Sequence, residues 1–216
     1  MSNTLPLLQK EFRLAAHPTL YVFTLLGCLV IVPNYPYSAV FLFGCLAPYI
    51  TFLNARENQD SFYTALLPVR KRDVVKSKCL LMVLVELGQL AISLPFAFLR
   101  TLLLPEGNIV GIEANVAYYG FGLLVYGIFN LIFFTEFYKT AYKVGKAFLF
   151  AIVPAMLVTV FMEVLVHVPG AQWLDSVAPS MLLMQLPVLA AGTVVYAAFT
   201  VTAYRIAAKR FESVDL

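Results

Sequence analysis

Two sets of ionisable residues fall inside stretches that are otherwise apolar, and chemistry would be sought there first. Glu163 and His167 stand four residues apart, so on a helix they share a face. A Glu-x-x-x-His pair offers two metal ligands or a short proton relay, whereas a zinc site needs three or four ligands. The other histidine, His17, belongs to the N-terminal arm, which the topology below puts on the opposite membrane face. The pair therefore reads either as a metal or catalytic dyad or as hydrated groups at a cavity mouth or headgroup layer. The short ligand count favours the second reading. Glu86, with Gln89 three residues on, is the second set. An ionisable residue inside a membrane span costs about 3 kcal/mol on insertion scales unless paired or hydrated. Glu86 either lines a polar translocation route or meets a basic partner near the membrane surface, and the sequence does not separate the two.

Other chemistry is missing by motif. Val144-Gly145-Lys146 resembles the end of a phosphate-binding loop, but that loop needs glycine where Thr140 stands. Gly120-Phe121-Gly122 sits within an apolar run, with Gly127 one heptad beyond Gly120, and reads as a helix-packing surface. Cys28, Cys45 and Cys79 form no CxxC pair and read as small buried apolar residues. There is no G-x-S-x-G motif, and the basic residues flank apolar runs in a way that topology explains without nucleic acid. No covalent chemistry and no resident cofactor are expected on this chain.

The elements that position these residues follow from hydropathy. Of 216 residues, 61% are hydrophobic and 12% charged, which is the balance of a membrane protein. A span takes about 20 apolar residues, and six of them with short loops use up the chain. The spans are expected at about Thr19–Val32, Tyr37–Leu53, Lys78–Leu103, Ala114–Phe137, Ala147–Val168 and Leu182–Tyr204. Turns at Pro33-Asn34-Tyr35-Pro36, Leu104-Pro105-Glu106-Gly107-Asn108 and Pro169-Gly170 separate them. Residues 4–17 are expected as an amphipathic interfacial helix, with Leu5, Leu8, Phe12, Ala15 and Ala16 on one stripe and Pro18 opening the first span. A frayed polar arm is the alternative. No cleavable signal peptide is evident, because the apolar run after Lys10 and Arg13 continues past Val32 into a second segment. The whole of 1–216 is read as one all-α transmembrane domain.

Lysine and arginine counts orient it. Fourteen of the fifteen lie in the N-terminal arm, the Asn54–Lys78 loop, the Tyr138–Lys146 loop and the C-terminal tail. Arg100 alone falls toward the other face, with Glu106, Glu113 and Asp175. Both termini and both basic loops are therefore expected in the cytoplasm, consistent with six spans.

The Asn54–Lys78 loop is a charged island between apolar tracts. Asp60 or Ser61 is expected to cap a short helix with Phe62, Ala65 and Leu66 on one face. Pro68 ends it, Asp73 caps the third span, and Lys76 and Lys78 snorkel to headgroups. Spacing alone fits a helix that inserts into a partner's groove as well as one that only contacts lipid.

The island also carries a resemblance. Glu57, Asn58, Phe62, Leu66, Leu67, Pro68, Val69, Arg70, Val74, Val75 and Lys78 match a pattern that resembles the ABC-2-type transporter permeases. Their short bacterial branch, which includes membrane subunits of phenol-soluble modulin exporters, is the most similar. Leu7-Leu8-Gln9-Lys10-Glu11-Phe12 is similar to that family's connecting helix, and the six-span plan fits along the whole chain. One departure is Arg70-Lys71-Arg72, where many relatives carry serine or Thr-Arg. The resemblance implies an elbow helix containing Lys10, Glu11 and Phe12. It also implies a coupling helix between spans two and three, with Glu57, Asn58, Asp60, Phe62, Tyr63, Leu66, Leu67 and Arg70 as the contact with a separate ATPase. Two ATPases, holding ATP and magnesium, would drive two permeases, identical or related, in a bacterial plasma membrane. Amphipathic peptides or other amphipathic or antimicrobial compounds are the implied cargo, with Glu86, Gln89, Glu163 and His167 as polar residues of the path. The alternatives are an intramembrane enzyme using Glu163 and His167, and a non-transporting scaffold or immunity protein.

Overall fold

A computed structural model describes residues 4–103 and 107–214. The expected turn residues Leu104, Pro105 and Glu106 lie outside the described residues, as do the side chains of Ser61 and Ala65. The described chain is helical throughout. Helix α1 (Thr4–Lys10) widens into a π-helical turn at Glu11–Ala15. His17 then caps α2 (Pro18–Leu25), its ring accepting from the Thr19 N–H, with Pro18 at the first helical position where no amide is missed. A 3-10 stretch, Leu26–Ile31, extends α2. The remaining helices are α3 (Ala39–Glu57), α4 (Asp60–Ala65), α5 (Lys71–Leu103), α6 (Val116–Phe137), α7 (Val144–Leu165) and α8 (Pro179–Glu212).

Five helices, α3 and α5 to α8, are long and apolar enough to cross a membrane. The N-terminal pair, Thr4–Ala15 and Pro18–Ile31, meets the same measure only when taken together, and it bends by 94°. The protein is multi-pass, with five spans or six. Helix ends depart from hydropathy in one consistent way. Helix α5, which holds the expected third span, starts at Lys71, not Lys78, and α8 continues to Glu212, past the expected end at Tyr204. At 33 and 34 residues, each is about 50 Å long. Hydropathy marks where a helix leaves an apolar layer, not where its backbone stops. Arg205, Lys209 and Arg210 thus belong to helical turns, and Lys71 packs over the Phe211 ring with its ammonium 5.7 Å from the centroid.

The face of α1 needs correction too. Thr4, Leu7, Glu11 and Ala15 are its buried positions, whereas Leu5 is exposed. The expected stripe was drawn through apolar residues only. Here a carboxylate, Glu11, lies on the inward face because a lysine waits there. Asp73 likewise does not cap α5. It is the third helical residue and accepts from Arg70 Nε at 3.0 Å.

Helix α6 is the centre of the bundle, packed between α7 and α8 and backed by α3. A Cβ built on Gly192 would lie 2.1 Å from the Gly120 carbonyl oxygen, and one on Gly127 would lie 2.9 Å from Tyr196 Cα. The α6 and α8 backbones therefore touch along the face that holds Gly120 and Gly127, as the glycine spacing leads one to expect. Phenylalanines fill the other side: Phe52 of α3 meets Phe133 and Phe137 edge-on at 5.2 and 5.0 Å.

Two glycine substitutions should move stability in opposite directions. Gly192→Ala should destabilise by about 1–3 kcal/mol, because its methyl meets backbone that cannot yield. Gly145→Ala, near the start of α7 with nothing within 4 Å, should be neutral or stabilise by up to about 1 kcal/mol. Unfolding of the purified variants in detergent checks both signs.

Candidate functional site

Helix α1, the end of α8, the α3–α4–α5 turn and the Tyr138–Lys143 loop gather at one end of the bundle, the basic end, through Lys10 with Asp60, Lys71 with the Val214 carbonyl and Arg56 with Tyr142. There α3 reverses into α4 through Gln59, which takes a left-handed φ of 53°. Leu67 precedes Pro68 and is held out of helical geometry, so α4 stops. This six-residue helix has two different sides. Phe62, Tyr63, Leu66 and Leu67 are exposed, and Glu57 and Asn58 beside them face outward as well. Glu57 accepts from Arg56, whose guanidinium lies over the Tyr142 ring at 5.3 Å.

The inner side of α4 is clamped by charge. Asp60 accepts from Lys10 and, at 3.0 Å, from Lys78, and Lys10 also donates to Thr64 at 3.0 Å. Lys78 donates in addition to Glu11 at 2.8 Å. Two lysines and two carboxylates thus tie α1, its π turn, α4 and α5 together with their charges balanced. Among the residues expected at a coupling surface, Asp60 points into this clamp and Phe62, Tyr63, Leu66 and Leu67 point away. Arg70 is exposed and occupied with Asp73. Lys78 corrects an expectation: it is buried and does not snorkel, because two carboxylates meet it inside. Burial would raise the Asp60 carboxyl, but Lys78 and Lys10 outweigh it and hold the group below its usual 3.8.

Glu86 and Gln89 lie in the middle of the bundle, fully buried. Asn130 Nδ2 and the Tyr196 hydroxyl both donate to Glu86 Oε2, at 2.9 and 2.8 Å. The same Asn130 amide reaches Thr200 Oγ1 at 3.3 Å. Gln89 donates to the Phe23 carbonyl at 2.8 Å and accepts from Tyr126. Gly44 leaves room for that pair, since a Cβ there would lie 2.5 Å from Gln89 Oε1. Among the described residues Glu86 meets no basic partner, and it is sealed from solvent in this packing. Asn130, Tyr126 and Tyr196 are missed by sequence reasoning. The one available signal was that Asn130 is the single amide in the 22 residues of α6.

At the far end, Arg100 is buried and donates to the Tyr37 hydroxyl and the Gly107 carbonyl, both at 2.7 Å, with Glu113 3.6 Å away. Burial holds the Glu113 carboxyl above its usual range despite Arg100, and burial raises Asp175 as well. Glu163 Oε2 accepts from the Ile112 N–H at 2.9 Å. His167 is exposed, and among the described residues no hydrogen bond joins it to Glu163. The two border a small cleft of about 220 Å³ with Ser38 and Thr159. Among the described residues, no three His, Cys, Asp or Glu side chains are grouped to hold a metal. A larger apolar cleft of about 640 Å³ opens between α5, α6 and α8, lined by Leu94, Phe98, Tyr119, Leu182 and Leu189.

A family model described as ABC-2 family transporter protein matches residues 6–212. No curated protein and no solved structure matches the chain.

The clamp generates a prediction with two limbs. Lys78→Met leaves the buried Glu11 and Asp60 with Lys10 as their one remaining cation in the clamp and should destabilise by about 3–5 kcal/mol. Because Asp60 is depressed below 3.8, its contribution is complete above that pH and is lost as pH falls through the lower folded-state value. Asp60→Asn should flatten this acid limb. Unfolding temperatures of both variants across the acid range test it.

Proposed function

The chain belongs to the ABC-2 family of transporter proteins, and on that premise we propose that it is the membrane subunit of an ATP-driven exporter powered by a separate ATPase. The observation that carries this reading is the two-sided α4. Its Phe62, Tyr63, Leu66 and Leu67 are exposed at the basic end, while its back is fixed to α1 and α5 by buried charge. Four large apolar side chains, two on α4 and two on the turn that ends it, suit insertion into a groove, with Glu57 and Asn58 at the rim. Asp60 then acts from behind: it holds the helix rigid and does not touch the partner. The ATP and magnesium belong to that partner, two copies of which would act on two permease copies, identical or related.

The remaining parts fit the same reading. The first half of the bent N-terminal pair, with Lys10, Glu11 and Phe12, is the elbow helix along the membrane surface, and the second half, Pro18–Ile31, is the first of six spans. The weight of lysine and arginine at the basic end supports a cytoplasmic position for that end and both termini, and the family resemblance supports a bacterial plasma membrane. The apolar cleft between α5, α6 and α8 favours an amphipathic cargo, peptide or small molecule, whose hydrocarbon it can hold. An intramembrane enzyme built on Glu163 and His167 gains less support, since Glu163 already accepts from a backbone amide and His167 points outward.

The test is co-purification with an ATPase subunit and assay in liposomes. Phe62→Ala and Glu57→Ala should each lower cargo-stimulated hydrolysis, Phe62→Ala by about tenfold or more, with unfolding temperatures unchanged. Native coupling in both variants would sink the docking role. A bound ATPase that no cargo stimulates would point to the scaffold alternative.

A further inference from the structure

The carboxyl of Glu86, expected as a polar residue of the path, is sealed from solvent in this packing, and its surroundings are unusual for an ionised group. It is fully buried, and its neighbours come from four helices. From α3 comes Cys45, from α5 itself Cys79, from α6 Asn130 and Tyr126, and from α8 Tyr196 and Thr200. Among the described residues none of these is a cation. Oε2 already accepts from two donors, Asn130 Nδ2 and the Tyr196 hydroxyl. With Oε2 taken up as an acceptor by two donors, a proton on this carboxyl belongs on the other oxygen. Oε1 is that other oxygen: it is buried and lacks a hydrogen-bond partner, as does Asn130 Oδ1. The pair holds two unmet acceptors, and a proton on Oε1 turns one of them into a donor. An ionised Glu86 would instead bury a full charge with no counter-charge, by far the costlier state.

We infer that Glu86 is a proton-binding site, its Oε1 carrying the proton while α5, α6 and α8 are packed together. When those helices separate, water reaches the carboxyl, the O–H bond breaks, and the proton passes to that water, leaving a hydrated carboxylate. Closing the bundle takes the proton back. The packed state is thereby linked to pH through one residue on α5, independently of any ATPase. This goes beyond the exporter reading and does not rest on it.

The experiment uses the full chain in lipid nanodiscs at neutral pH, without a partner. Infrared spectra should contain the carbonyl stretch of a buried protonated carboxyl, and Glu86→Gln should remove that one band. Tyr196→Phe, which deletes a donor to the carbonyl oxygen, should move the band to higher frequency without abolishing it, and it keeps the test available if Glu86→Gln fails to fold. The unfolding temperature of the native chain should fall as pH rises through the range in which Glu86 loses its proton, and Glu86→Gln should reduce that fall. Spectra in which neither substitution alters a protonated-carboxyl band overturn the proposal. So does a Glu86→Gln variant that retains the native pH dependence.

Discussion

The backbone contact between α6 and α8 is the constraint on which the rest depends. Lipid chains are as apolar as leucine, so two helices gain little in a bilayer by hiding apolar surface from it. They associate where shape lets them approach closely. Gly120 and Gly192 remove the side chains that would hold the helices apart, and Gly127 lets α8 continue along α6 at Tyr196. That register has a chemical result. It sets Asn130 of α6 and Tyr196 and Thr200 of α8 around one point, and α5 delivers Glu86 there. A slide along the α6–α8 seam would leave the carboxyl without donors.

Polar residues are sorted by depth, and the sorting follows the cost of desolvation. Full charges gather at the two ends: Lys10, Glu11, Asp60 and Lys78 at the basic end, Arg100 with Glu113 at the other. Each is paired, since an unpaired buried charge loses its hydration and gains nothing back. Between them the polar groups are amides, hydroxyls and the lone Glu86, joined by hydrogen bonds. A single acid at that depth without a basic partner is the exception that needs a reason, and a proton is the smallest counter-charge available.

How much of this could be read from sequence depended on range. Membrane class, the spans from the second onward and the charged island were legible, because hydropathy sums over neighbouring residues. The short α4 ending before Pro68 was legible for the same reason, its stop being a property of adjacent residues. The glycines of α6 also declared their packing role by spacing alone. What failed was long-range. Lys78 was read as reaching for headgroups because its neighbours are basic, yet its partners are 67 and 18 positions away. Glu11 was missed as a buried residue of α1 for the same cause. Asn130 and Tyr196 stand as isolated polar residues in apolar runs, and only the fold shows that they share one oxygen.

One helix joins these levels. Along α5 the buried polar positions Lys78, Glu86, Gln89, Ser93 and Arg100 recur at helical spacing, so a single inward stripe meets a different set of partners at each depth. At the basic end the stripe is ion-paired to α4, in the middle it meets α6 and α8, and at the far end it anchors the Tyr37 and Gly107 turns. Paired charge at α4 resists stretching more than apolar contact does, whereas the central contacts are a few hydrogen bonds to a group that can change its charge. The charged joint therefore lies at α4, where Lys10 and Lys78 meet Asp60, and the middle of α5 is held to α6 and α8 by the hydrogen bonds of one carboxyl.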